Sequence, residues 1–175
     1  SEPWKIPDPA EIPPINVNKN IDPETFQPYL RDPSTLARPW ALPGSPGLEH
    51  RIGGLGKEDV TGDISYHPND HEHMVKIRKE KVAKIANRIP EQDVFGPPSG
   101  DLLIVSWGST FGAVRSAVRK AQAQGKSVSS AHLRYLNPFP KNLGDILSRY
   151  KKIVVPEMNL GQLSLLLNAH FPIKV

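Results

Sequence analysis

From Asp101 onward the chain alternates short apolar, β-branched runs with longer stretches whose apolar residues recur at helical spacing. An unbroken apolar run fits a buried strand and a period near 3.6 fits a helix, so this texture predicts strands at 102–107, 128–133 and 153–155. Helices are predicted between and after them, at 110–124, 142–150 and 160–169. Gly125 supplies a stop for the first helix, and Pro138 and Pro140 separate the second strand from the second helix. The run Ile153, Val154, Val155 suits a strand buried on both faces, while Leu160, Leu163, Leu165, Leu166 and Leu167 call for a helix packed on a sheet. Residues 173–175 read as the start of a fourth strand, so the unit looks truncated at its C-terminal end, because an unfinished strand leaves a sheet edge open. Strands joined through helices imply right-handed crossovers. The expected architecture is α/β, with three α/β/α layers around a mostly parallel, doubly wound sheet.

Upstream the pattern changes. Of the 19 prolines, 11 fall in the first 46 residues, and the steps Asp8-Pro9, Pro13-Pro14, Asp22-Pro23 and Asp32-Pro33 push each preceding residue away from helix. This predicts an extended arm. Trp4, Ile6, Ile12, Ile15, Phe26, Tyr29, Leu36 and Trp40 are too apolar for a solvated linker, so the arm is expected to lie across a surface. Residues 43–66 carry six glycines and two prolines and read as a loop with turns. A helix capped by Asn69 or Asp70 follows to about Arg88, with Val75, Val82, Ile85 and Ile89 as its apolar seam and Lys76, Arg78, Lys79, Lys81, Lys84 and Arg88 as a solvated face. Residues 91–100 read as a second linker. The chain thus divides into an arm and loop (1–66), a helix with its linker (67–100) and an α/β domain (101–175).

Charge and composition narrow the chemistry. The net charge is +4; residues 1–46 hold four basic and six acidic groups, or −2, which leaves +6 for the rest. A diffuse basic bias of this kind suits phosphate-bearing small molecules or acidic protein partners, and it lacks the dense stripe with interleaved aromatics that nucleic acid requires. The absence of cysteine removes disulfides, thiolate metal sites and iron–sulfur ligation by this chain. Apolar runs such as 102–105 and 163–167 fall far short of the roughly 20 residues that cross a bilayer. Residues 1–10 are polar and proline-rich, unlike a signal peptide. A soluble, cytoplasmic protein is expected.

Candidate sites gather where strands end. Gly108, Ser109, Thr110 and Gly112 join the first strand to its helix. A helix start with small residues can hold an anion on free N–H groups, although the spacing is neither the dinucleotide nor the Walker pattern, and a tight turn capped by Ser109 or Thr110 is the structural reading. Parallel strands place all their carboxyl ends on one edge, which would group Arg134, Asn137, Glu157, Asn159 and Gln162 in one crevice with this turn. An Arg134–Glu157 ion pair is favoured there over catalysis. His67, His71 and His73 lie close in sequence, yet Pro68 intervenes and His71 and His73 face different sides of a helix, so no metal site is expected. Glu49 and His50 lack a third partner. No catalytic residue is assigned.

Four stretches carry a resemblance: LARPWALPGSPGLEHRIGG at 36–54, LIVSWGSTFGAVRSAV at 103–118, AHLRYLNPFPKNL at 131–143 and VVPEMNLGQLSLLL at 154–167. Together, in this order, they resemble the alpha subunit of 2-oxoacid:ferredoxin oxidoreductases, closest to the 2-oxoglutarate enzymes. The portion after Asp101 is similar to the C-terminal domain of transketolase-type enzymes, whose sheet admits one antiparallel strand. The resemblance implies oxidative decarboxylation of a 2-oxoacid with coenzyme A, giving acyl-CoA, carbon dioxide and reduced ferredoxin. It implies thiamine diphosphate, magnesium and iron–sulfur clusters in the whole enzyme, held by an N-terminal domain and a beta subunit outside this chain. The chain itself is then expected to bind no cofactor, to be inactive alone, and to hold subunits and domains in register. Two alternatives stand beside this: a module binding a small anion or a coenzyme A phosphate at 107–112, and an autonomous interaction protein. No nucleic-acid or membrane partner is implied.

Overall fold

The computed structural model describes residues 5–14 and 21–174. It comprises two units, one running to Ile85 and the other beginning at Ala86. Trp4, Ile15 and Val175 lie outside the described residues.

In the first unit the Asp-Pro steps become turns. Asp8 accepts from Ala10 N at 2.9 Å and caps a 3₁₀ turn over Pro9–Glu11, and Asp22 accepts from Glu24 N at 3.0 Å. Asp32 accepts from Thr35 N at 2.7 Å and from the hydroxyls of Ser34 and Thr35 at 2.5 and 2.9 Å. Those bonds, the Ser34 hydroxyl foremost, hold the Asp32 carboxyl down to about 2. Proline fixes φ for the second turn position while the preceding aspartate closes the turn from its side chain.

The arm docks on its own chain. Tyr29 N donates to Val60 O at 2.9 Å, and the Tyr29 ring lies so near Gly62, at φ 74°, that a Cβ there would meet it at 2.4 Å. The guanidinium of Arg38 covers the same ring at 4.2 Å. Ile6 and Trp40 nevertheless stay exposed.

Helix α1 spans Pro68–Lys84. Its cap is His67, whose Nδ1 accepts from Asn69 N at 3.3 Å, rather than Asn69 or Asp70, because Pro68 occupies the first helical position where a missing N–H costs nothing. A 3₁₀ turn over Ile85–Asn87 ends it short of Arg88. The expected seam is not the packed face: Val75, Val82 and Ile85 are exposed, and Met74 is the buried residue. Arg31 from the arm reaches Met74 Sδ at 3.6 Å and pairs with Asp59, which also receives His73 Nε2 at 2.9 Å. Burial works against ionising Asp59, but His73 and Arg31 hold its carboxyl below the ordinary range.

The second unit holds the sheet. Strands β1 (Gly100–Trp107), β2 (Val128–Leu133) and β3 (Tyr150–Val154) are all parallel in the order β2-β1-β3, with helices α2 (Phe111–Ala123), α3 (Leu143–Ser148) and α4 (Gln162–His170). Alternation along β1 builds three layers. Leu102 and Ile104 face Val114 and Val118 of α2, while Leu103 and Val105 face a larger core with Leu143, Ile146, Leu147, Leu163 and Leu167 from α3 and α4. The central strand thus reads as continuously apolar because both faces are covered.

Several boundaries differ from expectation. Among the described residues β3 pairs only with β1, so it is an edge, and Val154 is 39% exposed instead of buried on both faces. On α4 only Leu163 and Leu167 are buried; Leu165 and Leu166 are exposed, and Leu160 lies exposed before the helix begins. Ile173 and Lys174 form no strand. Residues 91–100 are less a linker than a strap along the outer edge of β2. Phe95 N donates to Ser130 O at 2.8 Å and Ser130 N returns to Phe95 O at 3.0 Å. Asn142 clamps the strap, accepting from Gln92 N at 2.8 Å and donating to Gln92 O at 3.0 Å, which is why its side chain does not cap α3.

Candidate functional site

The strand order decides what the carboxyl edge brings together. With β1 in the middle, the ends of β2 and β3 lie two strand spacings apart, about 10 Å. Arg134 and Asn137 follow β2, and Glu157, Asn159 and Gln162 follow β3. The expected Arg134–Glu157 ion pair does not form, because Glu157 is spent locally. Its carboxylate accepts from Leu163 N at 2.8 Å, Ser164 N at 2.9 Å and Ser164 Oγ at 3.1 Å. Asn159 Oδ1 accepts from Gly161 N at 2.8 Å and Gln162 N at 3.0 Å. The two side chains thereby satisfy the first N–H groups of α4, and Gly161, at φ 88°, makes the sharp entry that lets them reach. Burial opposes the charge on Glu157, but the N–H groups of Leu163 and Ser164 outweigh it and hold the carboxyl below its ordinary value. Glu157, Asn159 and Gln162 are thus one capping assembly.

The turn after β1 is a 3₁₀ segment, Gly108–Thr110, leading straight into α2. Neither Ser109 nor Thr110 caps it: Thr110 Oγ1 donates backward to Trp107 O at 2.8 Å, and α2 begins with no side-chain cap. Gly108 takes φ 60°, and around Gly112 there is open space.

A cavity of about 530 Å³ lies elsewhere, between the strap, β2 and the start of α2. Its floor is set by sheet register. Ser106 on β1 and His132 on β2 are direct cross-strand partners, and Ser106 Oγ lies 2.9 Å from His132 Nδ1. Ser106 is fully buried, and the Phe111 ring meets the imidazole edge-on at 4.9 Å. Burial first, and the Arg134 guanidinium second, push His132 below its ordinary value, so the imidazole is neutral near pH 7. Arg115 of α2 stacks over Phe95 of the strap at 3.4 Å. Of the residues expected to share a crevice, Arg134 alone lines this cavity. Sequence reasoning missed Ser106, His132, Arg115 and Phe95. The first two sit in runs that read simply as strand, and only the register shows that they meet.

His67, His71 and His73 do not converge: His67 caps α1 and His73 pairs with Asp59. Among the described residues no three histidine, aspartate or glutamate side chains are placed to hold a metal ion. His50 Nδ1 contacts Leu48 O at 2.8 Å and its ring meets Phe26, so Glu49 and His50 form no acid–base pair.

Against this geometry the relatives are informative. Residues 100–170, from the start of β1 to the end of α4, match the pyruvate:ferredoxin oxidoreductase core domain II family. The 2-oxoglutarate oxidoreductase subunit KorA of Mycobacterium tuberculosis is 50% identical over 177 residues, covering 100% of this chain and 27% of its own length. The chain belongs to the alpha-subunit family of the 2-oxoacid:ferredoxin oxidoreductases. Subunit alpha of the 2-oxoacid:ferredoxin oxidoreductase 2 of Aeropyrum pernix is 34% identical over 133 residues, covering 73% of this chain and 20% of its own. The solved 2-oxoglutarate:ferredoxin oxidoreductase of Magnetococcus marinus, with 2-oxoglutarate, coenzyme A and succinyl-CoA bound, superposes with a TM-score of 0.85 at 32% identity, covering 96% of this chain and 30% of that one. The α/β/α architecture is thus that of the family. The chain spans about a quarter of the length of the curated relatives named here.

Proposed function

We propose that this chain is the part of a 2-oxoglutarate:ferredoxin oxidoreductase alpha subunit that holds neighbouring domains and subunits in register, without supplying a catalytic group. The whole enzyme would convert 2-oxoglutarate, coenzyme A and oxidised ferredoxin to succinyl-CoA, carbon dioxide and reduced ferredoxin. The observation that carries the assignment is the 50% identity to the Mycobacterium tuberculosis subunit along the full chain. The assembly role is supported by the commitment of Glu157, the one carboxylate at the end of β3, to capping α4. It is supported as well by Met158 and Leu165, 90% and 71% exposed beside that cap. The residues present do not fit the family's cofactors: there is no cysteine for an iron–sulfur cluster and no metal-ligand grouping among the described residues. In this reading thiamine diphosphate, magnesium and the clusters belong to the missing N-terminal domain or to partner subunits.

The test is reconstitution. A full-length alpha subunit carrying this sequence, combined with its beta subunit, should reduce ferredoxin in a reaction requiring both 2-oxoglutarate and coenzyme A, and the chain alone should not. Turnover by the chain alone would end the assembly reading; reduction with pyruvate but not 2-oxoglutarate would end the substrate assignment. A second reading, that the 108–112 turn holds a small anion such as a coenzyme A phosphate, is favoured by the missing side-chain cap on α2. Amide shifts at Ser109 and Thr110 on titration with coenzyme A would support it, and their absence would remove it.

A further inference from the structure

The cavity beside β2 is lined by two arginine side chains that hydrogen-bond no described residue. Ser106 is fully buried and its hydroxyl has a single partner, His132 Nδ1, at 2.9 Å; the neutral imidazole carries its one proton on Nδ1 or on Nε2. No described residue hydrogen-bonds His132 Nε2. Arg115 is fixed by stacking on Phe95, yet its guanidinium makes no hydrogen bond or ion pair with a described residue, and the same holds for Arg134. Glu91 and Asp93 also line the cavity; both are exposed, as is Arg134, and neither carboxylate pairs with either arginine. Two arginines and a neutral imidazole therefore line one cavity with Phe95 and Phe111, and of the arginines Arg115 is the partly buried one.

We infer that this cavity binds a small molecule joining a flat ring to a carboxylate or phosphate. The acidic group would take the arginine donors, with bidentate geometry open to Arg115 because its plane is already held by the Phe95 stack. The ring would lie against Phe111 beside His132. The volume of about 530 Å³ is that of an ordinary small-molecule site. Burial and Arg134 keep the imidazole neutral, so it adds no third charge to the cavity. The same chemistry occurs in aryl acids, in purine mononucleotides and in the adenosine phosphate of a coenzyme.

The test is calorimetric titration of the assembled enzyme with benzoate, phenyl phosphate, AMP and coenzyme A separately, with benzamidine as a cationic control of the same shape. Because the whole enzyme is proposed to use coenzyme A as a substrate, only binding that Arg115→Met weakens counts; at least one anion should bind in this way at about millimolar Kd or tighter, and benzamidine should not. Binding of benzoate or phenyl phosphate identifies an aryl acid, binding of AMP alone a mononucleotide, and binding of AMP and coenzyme A together a coenzyme. Arg115→Met and Arg134→Met should each weaken binding at least about fivefold, with Arg115→Lys intermediate, at unchanged melting temperature. The proposal is overturned if no anion binds, if both methionine variants bind as well as the parent, or if benzamidine binds as well as benzoate. Closure of the cavity by other parts of the enzyme gives the first of these results and overturns it equally.

Discussion

Replacing Glu157 by alanine removes the only side chain that caps the Leu163 and Ser164 N–H groups of α4. Losing a side-chain cap costs about 1–2 kcal/mol, and losing a negative charge from a helix N-terminus about 0.3–1 kcal/mol more, so about 2 kcal/mol is expected for Glu157→Ala at pH 7. Glu157→Gln keeps an acceptor and loses the charge, for about 1 kcal/mol. With a urea slope of about 1–3 kcal/mol/M, the alanine variant should move the unfolding midpoint down by about 1 M. The assay is urea denaturation of the chain followed by far-ultraviolet circular dichroism, repeated from pH 7 to pH 3. The folded carboxyl titrates below its ordinary value, so its contribution is fully present above the unfolded value of about 4.3 and is lost as pH falls through the depressed folded value. The gap between parent and Glu157→Ala should therefore narrow in acid. In the reconstituted enzyme the same variant should impair assembly more than turnover. Equal midpoints at pH 7, or a gap that stays constant to pH 3, would refute the capping argument; intact assembly with lost turnover would refute the assembly role.

Other expectations follow from the same geometry. Leu167→Ala empties a fully buried position and should cost about 2–5 kcal/mol, whereas Leu165→Ala on the exposed side should cost about 0.5 kcal/mol or less; comparable losses in thermal unfolding would contradict the packing of α4. The His132 imidazole should titrate below the ordinary histidine value in an NMR pH series, and Arg134→Ala should raise the midpoint without restoring it fully, since burial is the larger cause. No change in that variant would remove Arg134 from the neighbourhood of the ring. Lys57 is buried with no partner for its Nζ among the described residues, so Lys57→Met should stabilise the chain by about 1–2 kcal/mol in urea; a loss of similar size would show that the ammonium is satisfied.

The sequence by itself determined the elements of the second unit. Strand and helix periods are local properties: 102–107 is a short apolar run, and 128–133 is a short segment set off by Gly125 and by Pro138, so both read as strands. The Asp-Pro turns were legible for the same reason, since each closes within three residues. The four motifs that carry the family resemblance lie on these elements and on the loop upstream.

Tertiary structure alone decided which residues meet. Placing β1 between β2 and β3 separates Arg134 from Glu157, and no local pattern encodes strand order. Register makes Ser106 and His132 partners across 26 positions of sequence. The edge position of β3 exposes Val154 in a run as apolar as any core strand, and Met74, not the valine seam, faces inward on α1 because Arg31 and Asp59 come to that side. In each case hydrophobicity along the chain fixes how a segment winds, while the identity of its neighbours depends on contacts far apart in sequence, which pairwise packing settles only once the layers close.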